Sequence, residues 1–577
     1  MDHLLINLSL IPDTQISIGN LIIGNRLHET METIKIVNGF VVDGMGSAPV
    51  KEDILVRGEI IEAVGQDIDE NGDTIIDASG LHVTPGFIDM HSHTDMNLLN
   101  NPLNPEKILQ GVTTDVVGNC GTSIAPTTDQ DREIFERFAI SVIGGAKTPL
   151  FSDQAALFNK VAENGGHSTN IAALVPQGNI RAAIMAIETT PATGDQLDEM
   201  KAMLSRNMED GAFGMSTGLV YPPGSDTTTE EIIELAKVVH QYGGFYASHV
   251  RNEARGVIDA VREAIRIGIE ANVPVEISHL KASLNDRATP KLLATIQQAR
   301  DSGLDITADV YPYIAGATSL GAMILPGWLL AKEGPEITST LMDPVTRKQV
   351  YEEALINILK FAKISPKLRK IIPKGLVVFG ITLLAKRVIV TQVGVTEGIA
   401  GKRLNAILDE DPGLASEKGK INKVFGLLGR EQGNVMVCLF QEDERKTLIP
   451  IMKAPFVMIG TDNIIGHPRT WGCYPRLLGE FVREKGVMSV EEAIRKSTGL
   501  PASRLGLTDR GLIKPGYKAD IVTFDMATIK DNASYENWKA PPSGIKHVFV
   551  NGVLTAEDGT HLGMKNGQIL RNKKKKE

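Results

Sequence analysis

His249, His279 and Asp309 stand 30 residues apart, each closing a short apolar run that follows a helical stretch. Thr228 and Glu231 make a capping box ahead of Ile232, Leu235, Ala236 and Val239, which share one helical face, and Gly243-Gly244 stops that helix. The run FYAS then delivers His249. Val257, Val261 and Ile265 repeat at spacings of four, after which VPVEIS delivers His279. Thr289 and Pro290 open a third helix at the N-cap and first-turn positions, and LDITA delivers Asp309. A strand–helix unit repeated at this pitch predicts an α/β fold of the (β/α)8 type, a TIM barrel, whose active site lies at the C-terminal ends of the strands. The run 83–90 reads as the first strand, ending at His91, and 456–460 as the last, ending at Asp462. Lys- and Arg-rich helical text mixes with short strands over 347–440, which reads as barrel elements plus an insertion within 330–435.

The two ends have another rhythm, with short apolar runs broken by turn signals over 34–77 and again over 519–525 and 547–559. Asn38-Gly39 and Arg57-Gly58 sit where tight hairpins would turn. Like textures so far apart predict one small β-sandwich domain built from both ends, residues 34–82 plus 505–570, with the barrel over 83–504 inserted between them. Residues 1–33 form an extension without a motif, and a chain starting at Met31 is expected to fold and act like the full one. The basic run at 573–576, within the tail 571–577, reads as solvated.

Composition narrows the function classes. The formal charge of −10 argues against a non-specific nucleic-acid binder. Three cysteines cannot staple 577 residues, which favours a reducing compartment. No basic region precedes an apolar core near the start, and no segment reaches the roughly 20 apolar residues of a membrane span. The most apolar stretches, 375–385 and 321–331, read as core strands or loops. A cytoplasmic protein without a membrane or nucleic-acid partner is expected.

Several residues at predicted strand ends carry chemistry. His91 and His93 are two apart on a strand, so both imidazoles face one side and can reach one metal. Cys120, in GNCG after Val116-Val117, is a zinc ligand if it meets imidazoles, and with His249 and His279 it makes a three-residue set that leaves a position open for water. Each of these residues alone is more often structural; their joint placement at strand ends of one barrel is what points to a metal. Asp462 beside such a water can act as general base and then general acid. Arg469, in HPR, can grip a substrate carboxylate bidentately.

Read in order, GFIDMHSHTD (86–95), GVTTDVVGNCGTSIAP (111–126), GAFGMSTGLVYPPG (211–224), ASHVRNE (247–253), ISHLKAS (277–283), HPRTWGCYPRLLG (467–479) and RGLIKPGYKADIVTFD (510–525) resemble the N-acyl-D-amino-acid deacylase (D-aminoacylase) branch of the amidohydrolase superfamily. The resemblance runs from about residue 34 to 570. It implies a tightly held zinc on Cys120, His249 and His279, a second, weaker metal position at His91 and His93, and Asp462 as the acid/base. It further implies carboxylate recognition by Arg469 with Tyr311, and Lys281 is another candidate for that pocket. Two departures bear on recognition: Ala317 replaces the serine of the expected AGS, and the loop between Asp462 and His467 is short.

The activity so implied is zinc-dependent hydrolysis of the linear amide of an N-acyl-D-amino acid, a small molecule bearing an N-acyl group and a carboxylate. The nearest rival keeps the machinery with another amide, as in dihydroorotases, hydantoinases or isoaspartyl dipeptidases. Cyclic-amide relatives often bridge two metals with a carboxylated lysine, whereas Cys120 takes that place here. A non-catalytic amidohydrolase-like scaffold is the alternative from another class. Side-chain and acyl preference and oligomeric state are not set by these motifs.

Overall fold

The computed structural model describes residues 32–69, 72–128, 149–186, 188–330, 332–361, 372–440 and 443–573. Most of the N-terminal extension and the last lysines of the tail lie outside these residues.

Eight parallel strands form the central sheet: β1 (Phe87–Asp89), β2 (Val112–Val117), β3 (Asn170–Pro176), β4 (Gly214–Gly218), β5 (Phe245–His249), β6 (Val275–Ile277), β7 (Ile306–Val310) and β8 (Val457–Ile459). Each pairs in parallel with the next in chain order. The seam where β8 returns to β1 is joined beyond the strand ends, by the Asp462 N–H donating to the His91 carbonyl and the Thr461 N–H to Asp89 Oδ1, each at 2.7 Å.

Side-chain alternation sorts the core. Ile88, Val116, Ala172, Leu174, Ala247 and Met458 share an apolar cluster with Ala502 and Leu505 of the helix Gly499–Leu505, which plugs one end of the barrel. Their strand neighbours Phe87, Val175, Tyr246, Val457 and Ile459 join the larger cluster beneath the surrounding helices. Strands buried on both faces explain why the barrel segments read as near-continuous apolar runs.

Helix starts follow the expected chemistry only in part. Both halves of the Thr228–Glu231 capping box are formed. Thr289, by contrast, lies inside its helix, Thr289–Asp301, because a 3-10 turn, Asp286–Ala288, leads straight into it and makes Ala288 the cap. Ser489 takes the N-cap of Val490–Ser497 without a side-chain bond.

Both chain ends meet in one nine-stranded sheet, joined where His82–Pro85 pairs antiparallel with Ile521–Phe524. Ile34, Ile36, Ile54, Val83, Ile521 and Phe549 pack its core. The run 83–90, expected as one strand, is therefore divided at Gly86. The Gly86 N–H goes to Asp520 O and the Phe87 N–H to Gly111 O, and a Cβ on Gly86 would sit 2.2 Å from Thr113 Oγ1. Gly58 turns a hairpin as expected, but Asn38-Gly39 does not. With φ 64° at Asn38 it forms a bulge inside the strand Thr33–Val41. Near the end of the described chain, residues 568–572 are pinned to the barrel, with Ile171 N–H donating to Gln568 O and Asn572 N–H to Gly211 O.

The chain between β7 and β8 builds a separate lobe. Ala315–Ser319, Val388–Val393 and Val435–Phe440 make a three-stranded antiparallel sheet, with its own core that includes Leu341, Val350, Leu355, Phe425, Leu428 and Val437. The described residues of 330–435 hold no barrel strand, which corrects the expectation of barrel elements there. The stretches expected as strands or loops are helical, Lys374–Ala385, Leu320–Ile324 and Gly327–Leu330. An apolar run of that length suits either state, and here the lobe core decides it, burying Val377 and Ala385. Among the described residues no helix is long and apolar enough to cross a membrane.

One buried charge cluster braces the seam. Lys107 donates to Asp89 and, at 2.7 Å, to Thr461 Oγ1, and lies 3.2 Å from Asp115 Oδ1, with all three charged side chains fully buried. Lys107→Met would leave two carboxylates unpaired, so a stability loss of about 3–5 kcal/mol is expected in urea unfolding. A loss under about 1 kcal/mol would mean that the carboxylates find other partners.

Candidate active site

All nine residues expected at the site meet at the C-terminal mouth of the barrel. His249 ends β5, Tyr311 directly follows β7, His91 and His279 stand two residues beyond β1 and β6, and Cys120 and Asp462 three beyond β2 and β8. Three of them, Cys120 (φ 53°), His279 (φ 34°) and Asp462 (φ 46°), have left-handed backbone that non-glycine residues seldom adopt. Such strain persists where the surroundings over-determine it, and it clusters at functional sites. At Cys120 the reason is visible. Gly121, also left-handed at φ 70°, follows, and a Cβ there would sit 2.6 Å from Gly218 N, so the loop is pressed against β4.

The candidate ligand atoms converge. Cys120 Sγ lies 3.3 Å from His91 Nε2 and 3.4 Å from His279 Nε2, which in turn lies 3.0 Å from His249 Nδ1. His93 Nε2 and His91 Nε2 lie 3.3 and 3.8 Å from Asp462 Oδ1. Ligand atoms of His91, Cys120 and His279 fall within 4.8 Å of one another, as do those of His91, His93 and Asp462.

The outward nitrogens are held by carboxylates. His91 Nδ1 pairs with Asp309 Oδ2 at 3.1 Å and His279 Nδ1 with Glu253 Oε1 at 2.9 Å, while Asp309 Oδ1 also accepts the His279 N–H at 2.9 Å. Such partners fix ring orientation and leave the other nitrogen to face a metal. The His93 backbone N–H donates to Asn463 Oδ1 at 2.8 Å.

Electrostatics argue for a cation at this place. Burial would push the Cys120 thiol up, yet the charges of His91, His279 and His249 bring it well below its ordinary range. Burial likewise opposes protonation of His93, but Asp462 and Cys120 lift it to about 9. For His279, burial and Lys281 are outweighed by Glu253 and Cys120, again to about 9. Cys120, Asp462, Glu253 and Asp309 thus bring negative charge into a buried space, where without a metal Arg469, Lys281 and imidazole protons balance it. A dication on the facing Sγ and nitrogen atoms would do so directly, and this donor set suits zinc.

Arg469 is 2% exposed and stacks on the Tyr311 ring, its guanidinium carbon 4.3 Å from the ring centre. Nη2 pairs with Asp462 Oδ2 at 2.9 Å and Nε donates to the Asp462 carbonyl at 2.6 Å, whereas Nη1 has no partner among the described residues. Lys281 Nζ lies 3.2 Å from Glu253 Oε1 and 3.4 Å from the Tyr311 hydroxyl. Ala317 lies on the lobe strand Ala315–Ser319, opposite Cys438. The short loop is tied to that strand, because His467 Nε2 donates to Ala315 O at 3.0 Å while its Nδ1 accepts the Arg469 N–H at 2.9 Å.

The family model described as the amidohydrolase family matches residues 74–318 and 450–556. The chain belongs to the amidohydrolase family. This amidohydrolase is 32% identical over 553 residues to the D-aminoacylase of Alcaligenes xylosoxydans xylosoxydans, covering 93% of this chain and 96% of that one. A solved D-aminoacylase, described by one-metal activation and second-metal attenuation of a binuclear centre, superposes with a TM-score of 0.75 at 31% identity, over 93% of this chain and 99% of that one. The N-acyl-D-glutamate deacylase of Bordetella bronchiseptica, solved with zinc and a phosphonate mimic of the tetrahedral intermediate, superposes with a TM-score of 0.74 at 29% identity, over 94% and 100%.

Glu253, Asp309 and Asn463 escaped the sequence reading as parts of this amidohydrolase's site. Signals for two of them were present. Glu253 stands four residues after His249, and Asp309 is the third member of the 30-residue series.

Proposed function

We propose that this amidohydrolase hydrolyses the amide bond of N-acyl-D-amino acids, releasing a carboxylate and a free D-amino acid. In this reading Cys120, His249 and His279 hold one tight zinc, and His91 and His93 offer a second, weaker position. When bound, zinc supplies the Lewis acidity that polarises the acyl carbonyl and eases deprotonation of the attacking water. Asp462 takes that proton and passes it to the leaving amine. Arg469, held against Tyr311, presents Nη1 to the substrate carboxylate, with Lys281 nearby. The barrel, taken as 86–504 with the lobe as its insertion, does the chemistry, and 34–85 with 505–570 form the small β domain.

The observation that carries the reading is the meeting of Cys120, four histidines and Asp462 at one barrel mouth. Cys120 Sγ between His91 and His279 favours the linear-amide reading over the cyclic-amide one. The test is a panel of N-acyl-D and N-acyl-L amino acids on zinc-loaded protein. Turnover of the D series alone is expected; a preference for L substrates or for cyclic amides alone would overturn the reading.

Carboxylate recognition can be tested separately. Arg469→Lys should raise KM for free-acid substrates about tenfold or more, since an ammonium cannot reproduce the guanidinium fork. Turnover of carboxamide analogues should fall as well, because Arg469 also pairs with Asp462, so the KM for free-acid substrates is the readout of carboxylate recognition. Equal turnover of free-acid and carboxamide substrates by the native enzyme would give Arg469 another task.

A further inference from the structure

The substrate has a second end, and the barrel mouth has a second half. Lys281, Tyr311 and Arg469 follow β6, β7 and β8, and Asp462, which meets the amine, also follows β8. On the proposed function, the amino-acid moiety therefore lies over β6–β8. With the scissile carbon among the metal ligands, the acyl chain extends the opposite way, over β2–β4.

A cleft lies there. It is walled by Cys120, Thr122, Asn179, Ala182, Tyr221 and Pro223, is partly open to solvent, and holds a cavity of about 30 Å³. Thr122 follows β2; Asn179 and Ala182 lie on the helix Gln177–Met185 after β3; Tyr221 and Pro223 follow β4. Among the described residues its lining contains no Lys, Arg, His, Asp or Glu. The Asn179 amide is committed elsewhere: Nδ2 donates to Ser123 O at 2.6 Å and Pro126 O at 2.9 Å, and Oδ1 accepts the Ser123 N–H at 3.3 Å.

We infer that this cleft is the acyl pocket, that it takes short uncharged acyl chains, and that Ala182 limits their length. An acyl carboxylate would be buried there with no cationic side chain in the described lining to pair with it. Methylenes would be buried favourably, at roughly fourfold in kcat/KM each.

The full-length zinc-loaded enzyme is assayed with N-acetyl, N-butyryl and N-succinyl derivatives of whichever D-amino acid it turns over best. Butyryl and succinyl have equal carbon counts, so their comparison isolates the charge. The butyryl substrate is expected to exceed the succinyl one in kcat/KM by about 100-fold. Ala182→Leu should cut the butyryl-to-acetyl ratio at least tenfold with zinc content unchanged. Ala182→Gly should raise that ratio, and it decides the matter if the leucine variant does not fold. Equal succinyl and butyryl turnover, or a ratio that the decisive variant does not move, overturns the assignment. Failure of every N-acyl-D substrate with the native enzyme is a different result, which sinks the function reading and the pocket together.

Discussion

Cys120→Ala is expected to lose the tight metal and turnover together. The sulfur contacts both His91 Nε2 and His279 Nε2, at 3.3 and 3.4 Å, and its negative charge, beside those of nearby carboxylates, faces the imidazoles around it. Alanine leaves those nitrogens facing one another, with neither a soft ligand nor its charge. Loss of an outer partner of a metal site commonly costs 10–100-fold in affinity, so loss of a ligand should cost more than about 100-fold. Elemental analysis after gel filtration reads this directly. Native protein stripped with a chelator should behave like the variant and regain activity with zinc, whereas the variant should not. Stoichiometric zinc with normal turnover in Cys120→Ala would place Cys120 outside the centre.

Asp462→Asn should separate metal binding from proton transfer. The asparagine keeps the shape of the side chain and an oxygen for Arg469, so zinc should stay, while turnover falls by about 10² or more. Burial would raise the Asp462 carboxyl, but Arg469, the His93 hydrogen bond and the nearby histidine charges hold it well below the usual carboxylate range. The form that accepts a proton is therefore present throughout neutral pH. The acid limb of the native profile should lie below the ordinary carboxylate range, with activity lost as pH falls through it. A variant with near-native turnover would assign the proton to another group.

The chemistry was legible in the sequence because of where barrels keep it. Each candidate ligand stands at or within four residues of a strand end, so finding the strands located the candidates. The supporting carboxylates were harder to pick out. Glu253 four residues after His249 reads equally well as a loop or helix-start acid, and only the 2.9 Å approach to His279 from a different strand end distinguishes it. The lobe was illegible for another reason. Its strands pair over long sequence separations, Ala317 with Cys438 and Ile389 with Cys438, and nothing local records such a partner. Its most apolar helix, Lys374–Ala385, has no polar face to give a period. Asn38-Gly39 misled because a dipeptide suited to a turn suits a bulge equally well.

The joint that closes the barrel and the joint that makes it a hydrolase are the same joint. Across the seam the Asp462 amide holds the His91 carbonyl, so the proposed acid/base and a proposed metal ligand are fastened by their own main chains. Where β1 and β8 meet, side chains share the load: Thr461 bonds Asp89, Lys107 reaches both, the Tyr474 hydroxyl lies within hydrogen-bond distance of the Ile88 and Ile459 carbonyls, and Asn463 Oδ1 accepts the His93 N–H. Exchange of the Asp462 amide proton would follow the working lifetime of the enzyme more closely than any measure of global unfolding. The lobe adds leverage, since it leaves the barrel after β7 and rejoins it at β8, so whatever moves the lobe pulls on one side of that clasp.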